Sequence, residues 1–253
     1  MKLKTTTTSL SLKTIKVLIL LLALGIFTIS CSSDDDGFDE ANNDAAKKYV
    51  TKIITQGEGQ TTVSKVNYDS QGRVKSASSD NQTKYFSYND GDGGGLKKVS
   101  GGGDNVITSE VINEIQKAYE IGDVLQYDDK GNPTVLELYD EDYNGNQITN
   151  TATLTYDDKP FTFYYTLDAA GIIDVLNDVR LQFYAPEEII MAKKLLPVNN
   201  PIKAIIKDES NQEVGSVSVD YNYDEDNYPT TASVTSIDDQ DYVESYNVNY
   251  EYK

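Results

Sequence analysis

The stretch "SVSVDYNYDEDNYPTTASV", residues 216–234, decides the fold of this chain. Its first half alternates apolar and polar residues, and the apolar positions are Val217, Val219, Tyr221 and Tyr223. A period of two residues is typical of a β-strand with one buried face and one hydrated face. Asp224 can then accept hydrogen bonds from backbone groups of a tight turn, and Asn227 tolerates a positive φ. The stretch therefore predicts an antiparallel β-hairpin.

The same unit occurs several times along the chain. "VNYDSQGRV" (66–74) and "LQYDDKGNPTV" (125–135) are close copies, and 86–96 and 154–161 are weaker ones. Each unit is predicted to be a strand that ends in tyrosine and reverses through a tight turn. The turn positions in the two close copies are Asp69, Gly72, Asp128 and Gly131.

Two segments depart from this pattern and predict helices that cap the sheet. Residues 185–197, "APEEIIMAKKLLP", have proline and acidic residues at the start, lysines near the end and a terminating proline. Residues 109–125 have apolar residues at helical spacing, although so short an apolar run also fits a strand. We therefore expect an all-β, mainly antiparallel fold, either a curved sheet or a barrel of β-hairpins, with one or two short capping helices.

The Tyr-Asp turn units, together with "YDDKPFTFYYTLDAAGIIDVL" (156–176) and "LLPVNNPIKAII" (195–206), carry a family resemblance. They are similar to uncharacterised Bacteroidetes surface lipoproteins, some of which are grouped as domains of unknown function with a porin-like barrel fold. The resemblance covers most of residues 60–253. It implies a β-rich architecture and supplies no catalytic residue.

The N-terminus carries an export signal. Four lysines and no acidic residue precede an apolar run of 14 residues, Val17 to Ser30. A basic region followed by a short apolar region is typical of a secretory signal peptide. A membrane-spanning helix needs roughly 20 apolar residues, so this run is too short to serve as an anchor. Residues 1–30 are therefore predicted to be a signal peptide.

Cys31, the only cysteine, follows the apolar run directly. Ser30-Cys31 resembles the lipobox of bacterial lipoproteins, in which the thiol is acylated and the chain is cut just before it. Thr28 and Ile29 depart from that box, which prefers leucine and a small residue at these positions. The resemblance implies that Cys31 is the lipid-attachment residue. Two or more acyl chains on it would hold the protein stably on a membrane.

An acidic run follows the cysteine. It resembles the export tag of Bacteroidetes surface lipoproteins, and the matching residues are Ser33, Asp34, Asp35 and Asp36. The resemblance implies an outer-membrane lipoprotein that faces the cell exterior, with a periplasm-facing protein as the second reading. Because acidic polar runs have little apolar area to bury, residues 31–48 are predicted to be a flexible tether. Residues 49–253 then form a single β-rich domain.

Composition excludes several functions. Removal of residues 1–30 leaves 18 basic residues against 41 acidic ones, a net charge of −23. A chain of this charge repels nucleic acid, which is bound mainly through Lys and Arg. Without histidine, the chain cannot form a Ser-His-Asp or Cys-His catalytic site. The partners we expect are the membrane, through the acyl anchor, and a glycan or an envelope protein as ligand.

One segment has the pattern of a calcium site. In "DEDYNGNQI" (140–148), Asp140, Asp142 and Asn144 precede Gly145, as in the first half of an EF-hand loop. The twelfth position is Thr151, where a glutamate is required, so an acidic hairpin loop is the alternative. Calcium is the one cofactor that the sequence suggests.

Paired carboxylates are the remaining candidates for catalysis. Asp128/Asp129, Asp157/Asp158 and Asp238/Asp239 are predicted to lie at turns, where they would be hydrated. Glycoside hydrolysis needs two carboxyl groups that face each other across a cleft with separated pKa values. We therefore expect a non-catalytic binding or envelope-structural module with no catalytic residue. The alternative is a carboxylate-based hydrolase that acts on extracellular polysaccharide.

Overall fold

The structure is a computed structural model that describes residues 36–42, 45–91, 94–117, 121–141, 145–182 and 189–253. These residues form two sheets and a few short helices. The strands are β1 (Val50–Gly57), β2 (Gln60–Tyr68), β3 (Val74–Ser79), β4 (Gln82–Tyr88), β5 (Leu96–Gly101), β6 (Asp104–Ile107), β7 (Ile115–Lys117), β8 (Ile121–Tyr127), β9 (Pro133–Glu141), β10 (Gln147–Pro160), β11 (Arg180–Gln182), β12 (Ile189–Met191), β13 (Asn199–Lys207), β14 (Glu213–Tyr223), β15 (Pro229–Asp238) and β16 (Val243–Tyr252).

Thirteen strands form the large sheet, in the order β6-β5-β4-β3-β2-β1-β16-β15-β14-β13-β10-β9-β8. Every pair of neighbours in it is antiparallel. The first strand pairs with the last, with Val50 opposite Tyr252. The predicted antiparallel β class is confirmed, and β6 and β8 are the end strands of the sheet formed by the described residues.

The helices are short, and the sequence located them only in part. They are α1 (Asp36–Asn42), α2 (Thr108–Asn113), α3 (Tyr164–Ala169), α4 (Ile172–Leu176) and a 3₁₀ helix (Ala192–Leu195). The helix predicted for 185–197 is wrong over its described part, where β12 precedes the single 3₁₀ turn. In the segment 109–125, α2 ends when Glu114 becomes extended, and β7 and β8 follow.

The small sheet consists of β12, β11 and β7 in that order. β11 pairs with β12 antiparallel and with β7 parallel. The β-branched residues around Ile115 and Ile189 therefore lie in strands, although their spacing also fitted a helix.

The core lies between one face of the large sheet and the pair α3–α4. The predicted alternation is confirmed in β14, where Val217 and Val219 are buried and Ser218 and Asp220 are exposed. α3 and α4 are buried along most of their length, and they contribute Tyr164, Tyr165, Ile172, Ile173, Val175 and Leu176 to the core. α3 has six residues and α4 has five, so neither helix is long enough to show a helical period in the sequence.

Five hairpins share one turn geometry. In each, an aspartate carboxylate accepts hydrogen bonds of 2.8–3.0 Å from the backbone N–H groups two and four residues later. The third residue after the aspartate has a positive φ of 60–92°. The aspartates are Asp69, Asp128, Asp208, Asp224 and Asp238. The predicted turns at 69, 128 and 224 are confirmed, Asp238 also lies at a turn as predicted, and the turn at Asp208 is an additional copy.

Tyrosines near the ends of five strands form a second repeated feature. Each hydroxyl donates a hydrogen bond of 2.6–3.3 Å to a backbone carbonyl at or near the start of a neighbouring strand. The pairs are Tyr68–Val50, Tyr88–Val74, Tyr156–Pro133, Tyr221–Pro201 and Tyr252–Pro229. Burial raises the pKa of these phenols, and that of Tyr68 to about 12, so they remain donors at neutral pH.

The weaker copy at 154–161 is not a hairpin. β10 continues to Pro160, and α3 follows instead of an immediate reversal. Asp157 thus lies in a strand, where its side chain is half-buried; the prediction that it lies hydrated at a turn is wrong.

Gly171 joins α3 to α4, and its replacement by alanine should destabilise the fold. Its φ is 67°, and an added Cβ would lie 3.1 Å from the Cβ of Leu96. We expect Gly171→Ala to lower the free energy of unfolding by about 2–3 kcal/mol, since left-handed strain and crowding add. Gly59→Ala is the control, because Gly59 has a φ of 74° and open space around its Cβ. Equal losses in urea denaturation would refute the crowding at Leu96.

None of the helices in the described ranges has the length and apolar character that crossing a membrane requires.

Candidate functional site

The site is the end of the large sheet at which the N-terminal segment packs. We call the end where β1 begins, at Val50, the lower end, and the end where β1 finishes, at Gly57, the upper end. The turns at 69–73, 128–132 and 224–228 lie at the lower end, and those at 208–212 and 238–242 lie at the upper end. Residues 36–42 and 45–49 pack against the lower end.

Phe38 fixes α1 in the core. Its side chain is only 2% exposed. The ring stacks on Tyr164 with centroids 3.6 Å apart and planes 4° from parallel, and it meets the edge of Tyr165 at 5.5 Å. An aromatic side chain in such a position contributes a large buried apolar area. Part of the predicted tether is therefore packed on the domain.

Hydrogen bonds hold the rest of the N-terminal segment. The Asn42 amide donates to the Val198 carbonyl at 3.1 Å. The Tyr165 hydroxyl lies 3.2 Å from a carboxylate oxygen of Asp39 and 3.3 Å from the Ala45 carbonyl, and these two acceptors share its one proton. The Val50 N–H donates to the Thr166 hydroxyl at 2.8 Å. Asp39, Ala45 and Val50 are thus hydrogen-bonded to side chains of helix α3.

Lys48 forms an ion pair with the turn 224–228. Its Nζ lies 2.7 Å from Asp224 and 2.6 Å from Asp226. Burial alone would lower the pKa of Lys48, but the hydrogen bonds to the two carboxylates raise it. Burial likewise opposes ionisation of Asp224, yet the hydrogen bond from Lys48 and those from the turn N–H groups lower its pKa. Both charged forms are therefore favoured by the folded state.

The ion pair predicts a pH-dependent contribution to stability. Because the pKa of Asp224 is lowered, its contribution is present above the ordinary carboxyl range and is lost as the pH falls through the folded value. The contribution of Lys48, whose pKa is raised, is present below its ordinary value of 10.5 and is lost at higher pH. We expect Lys48→Met to cost at most about 1 kcal/mol near neutral pH and nothing near pH 2.

Urea denaturation at the two pH values measures this difference. Lys52→Met is the control, because Lys52 pairs with the exposed Glu251. An equal loss for Lys48→Met at both pH values would show that its ammonium group does not stabilise the segment.

Three asparagines form a buried layer beneath α1. Asn132, Asn199 and Asn200 are each at most 1% exposed. The side-chain oxygen of Asn132 accepts hydrogen bonds from the backbone N–H groups of Val198 at 2.8 Å and Asn199 at 3.0 Å. Its amide donates to Asp128 and Asn199. This layer joins the turn 128–132 to the start of β13.

Asp157 completes the polar layer. Its carboxylate accepts hydrogen bonds from the Tyr223 hydroxyl and from the backbone of Lys159 and Asn200. Burial raises the pKa of Asp157, although these bonds act in the opposite direction. Burial and the bond to Asp157 also raise the pKa of Tyr223. The groups that donate hydrogen bonds to Asp157 belong to β10, β13 and β14, so this carboxylate has a structural role in joining these strands.

Two open depressions lie at the lower end. One, of about 500 Å³, is lined by Arg73, Tyr88 and Asn89. The other, of about 370 Å³, lies between Asn42, the Asp158–Lys159 segment and the Glu225–Asp226 segment. Asp158 is 73% exposed on its side chain, and its bond to Lys159 lowers its pKa. The Asp158 carboxylate in this depression is thus hydrated and ionised at neutral pH.

Most of the site residues predicted from the sequence lie outside the described residues. Cys31, Ser33, Asp34 and Asp35 precede α1, and Asp36 is its first residue. The lipid-attachment site and the export tag remain predictions.

Of the predicted calcium ligands, Asp140 lies in β9, while Asp142 and Asn144 lie outside the described residues. Calcium binding also remains a prediction. Within the described ranges, no group of three or more acidic or cysteine side chains is placed to hold a metal ion.

Sequence reasoning missed the docking of residues 38–42 and 45–50. The available signal was Phe38, an aromatic residue in an otherwise acidic run. It also missed the buried asparagine layer, since Asn132 and Asn199 are 67 positions apart and the chain alone does not show their contact.

The chain matches no protein-family model and no sequence among curated proteins. Among solved structures it is similar to a porin-like protein from Bacteroides vulgatus, with 10% identity, coverage of 81% of this chain and 99% of that one, and a TM-score of 0.39. It is also similar to a porin-like protein from Bacteroides uniformis, with 13% identity, coverage of 81% and 98%, and a TM-score of 0.34.

A third similar structure is described as an outer membrane lipoprotein-sorting protein domain from Vibrio parahaemolyticus, with 10% identity, coverage of 85% and 88%, and a TM-score of 0.28. The first two are of the porin-like class that the turn motifs resemble. At TM-scores of 0.39 and below, no residue or activity is carried over from these proteins to this chain.

Proposed function

We propose that the chain is a lipoprotein, anchored in the outer membrane through acylated Cys31, whose β domain is a non-catalytic module on the cell exterior. The module binds a glycan or an envelope protein, or it serves as a structural part of the envelope. The observation that carries the proposal is the docking of Phe38 at the lower end, seven residues after Cys31. An acyl anchor at Cys31 would hold a folded body close to the membrane.

The positions of the described carboxyl groups support a non-catalytic role. A glycosidase needs a general acid with a raised pKa and a second carboxylate within about 5–10 Å. The described carboxyls with a raised pKa are Asp157, at the lower end, and Asp239, in an upper turn. β15, with 10 residues, spans about 33 Å between the two ends, so these two groups cannot act on one bond.

The alternative hydrolase would need either Asp157 or Asp239 as its acid, with a different carboxylate as the partner. Asp158 and Asp224 have lowered pKa values, since each is bonded to a lysine, and neither suits a general acid at neutral pH. A glycan array with the soluble domain, read for both binding and cleavage, separates the two functions. Binding without cleavage supports the module, and release of shorter sugars would support the hydrolase.

Cys31→Ala tests the anchor. We expect this variant to move from the membrane fraction to the soluble fraction and to lose incorporation of labelled fatty acid, because the acyl chains supply the attachment. Ser32→Ala is the control and should remain in the membrane. Retention of Cys31→Ala in the membrane would contradict the proposal.

The export tag is tested separately. Alanine at Asp34, Asp35 and Asp36 together should leave the protein in the membrane but protect it from protease added to intact cells. Unchanged digestion would show that these residues do not direct surface display.

A further inference from the structure

The link between the proposed attachment residue and the docked segment is short. Four residues, 32–35, separate Cys31 from Asp36, where α1 begins. A fully extended chain spans at most about 3.6 Å per residue, so the Cα atoms of Cys31 and Asp36 are at most about 18 Å apart. Phe38 and Asn42 hold α1 on the lower end. An acylated Cys31 would therefore keep the lower end within about 20 Å of the lipid headgroups.

Both ends of the sheet carry charged side chains. Turns at the upper end carry exposed or half-exposed carboxylates, namely Glu58, Asp80, Asp208, Glu209, Asp239 and Asp241. At the lower end, Asp69 pairs with Arg73 and Asp224 pairs with Lys48. The exposed ammonium groups of Lys47 and Lys253 lie over tyrosine rings there. The lower end also carries the exposed carboxylates Asp90, Asp129, Asp158 and Glu225, so charge does not select the end that faces a bilayer, and the short link does.

We infer that the sheet stands on the membrane, with its lower end against the headgroups and its upper end directed away from them. This orientation rests on the proposed lipid anchor. The upper turns lie about 33 Å beyond the lower turns, the length of the 10-residue β15. Both lower-end depressions then face the headgroups, so a macromolecular ligand would meet the upper turns or the exposed sheet face.

A matched pair of labels tests the orientation. Gln71 and Gln240 are exposed residues at the same position of the shared turn, two residues after Asp69 and Asp238 respectively. Gln71→Cys and Gln240→Cys in the full lipidated chain are labelled with a fluorophore and placed in liposomes that contain headgroup-spin-labelled lipid. We expect quenching of the Gln71→Cys label to exceed that of the Gln240→Cys label by about threefold or more, because a strand length separates them.

A spacer variant tests whether the short link is the cause. About 20 Gly and Ser residues inserted between Ser33 and Asp34 lengthen the reach of the link by about 25 Å and should reduce the difference between the two labels. Equal quenching in the original chain, while the protein still floats with liposomes, would overturn the orientation. A difference that the spacer leaves unchanged would overturn the short link as its cause. Failure to float would overturn the proposed anchor, and the orientation with it.

Discussion

Phe38→Ala is expected to lower the free energy of unfolding by about 4 kcal/mol. The ring is buried between Tyr164 and Tyr165, and truncation of a buried aromatic side chain typically costs about 3–5 kcal/mol through lost transfer energy and the cavity that remains. Urea denaturation in a Cys31→Ala background, which is expected to be soluble, measures the change.

Tyr85→Ala is the matched control for Phe38→Ala. Tyr85 is 55% exposed on β4, so its loss should cost about 0.5 kcal/mol. If both variants lose equally little, α1 is not packed in the core, and the short link between Cys31 and the domain no longer defines an orientation.

Asn132→Ala is expected to cost about 3 kcal/mol. The substitution removes the acceptor of two backbone N–H groups, those of Val198 and Asn199, and a donor to Asp128. Each buried polar group left without a partner costs about 1–3 kcal/mol. The lost contact also frees the turn 128–132 from β13, so thermal unfolding should become less cooperative.

Asn105→Ala controls for the loss of an asparagine side chain from the sheet. Asn105 is exposed on β6, and its replacement should change the free energy of unfolding by less than about 0.5 kcal/mol. A loss at Asn132 no larger than at Asn105 would mean that water replaces the amide in the buried layer.

The hairpins were predictable because their determinants are local. Asp69, Asp128 and Asp224 each accept a hydrogen bond from the N–H group four residues later, so a short stretch of sequence contains every residue that defines the turn. The same hydrogen-bonding pattern at Asp208 and Asp238 was not assigned to the repeated unit, because Lys207 and Ile237 stand where the unit has tyrosine.

The docking site was not predictable, because its contacts join distant parts of the chain. Phe38 meets Tyr164, and Lys48 meets Asp224, across more than 120 positions in each case. The acidic composition around Phe38 predicted a hydrated tether. The burial of the Phe38 ring stabilises the packed position of this segment instead. The carboxylate Asp157 was misplaced for the same reason, since its donor Tyr223 belongs to another strand.

The pairing of β1 with β16 has a consequence for how the polypeptide acquires its structure. Val50 cannot pair with Tyr252 until Tyr252 has been synthesised, so the two halves of the sheet stay unjoined while the residues between them are translated. Contacts between residues about 200 positions apart give a high contact order, and such topologies form slowly. A nascent chain of this kind stays unfolded for longer, which would suit passage through a secretion channel if residues 1–30 act as the proposed export signal.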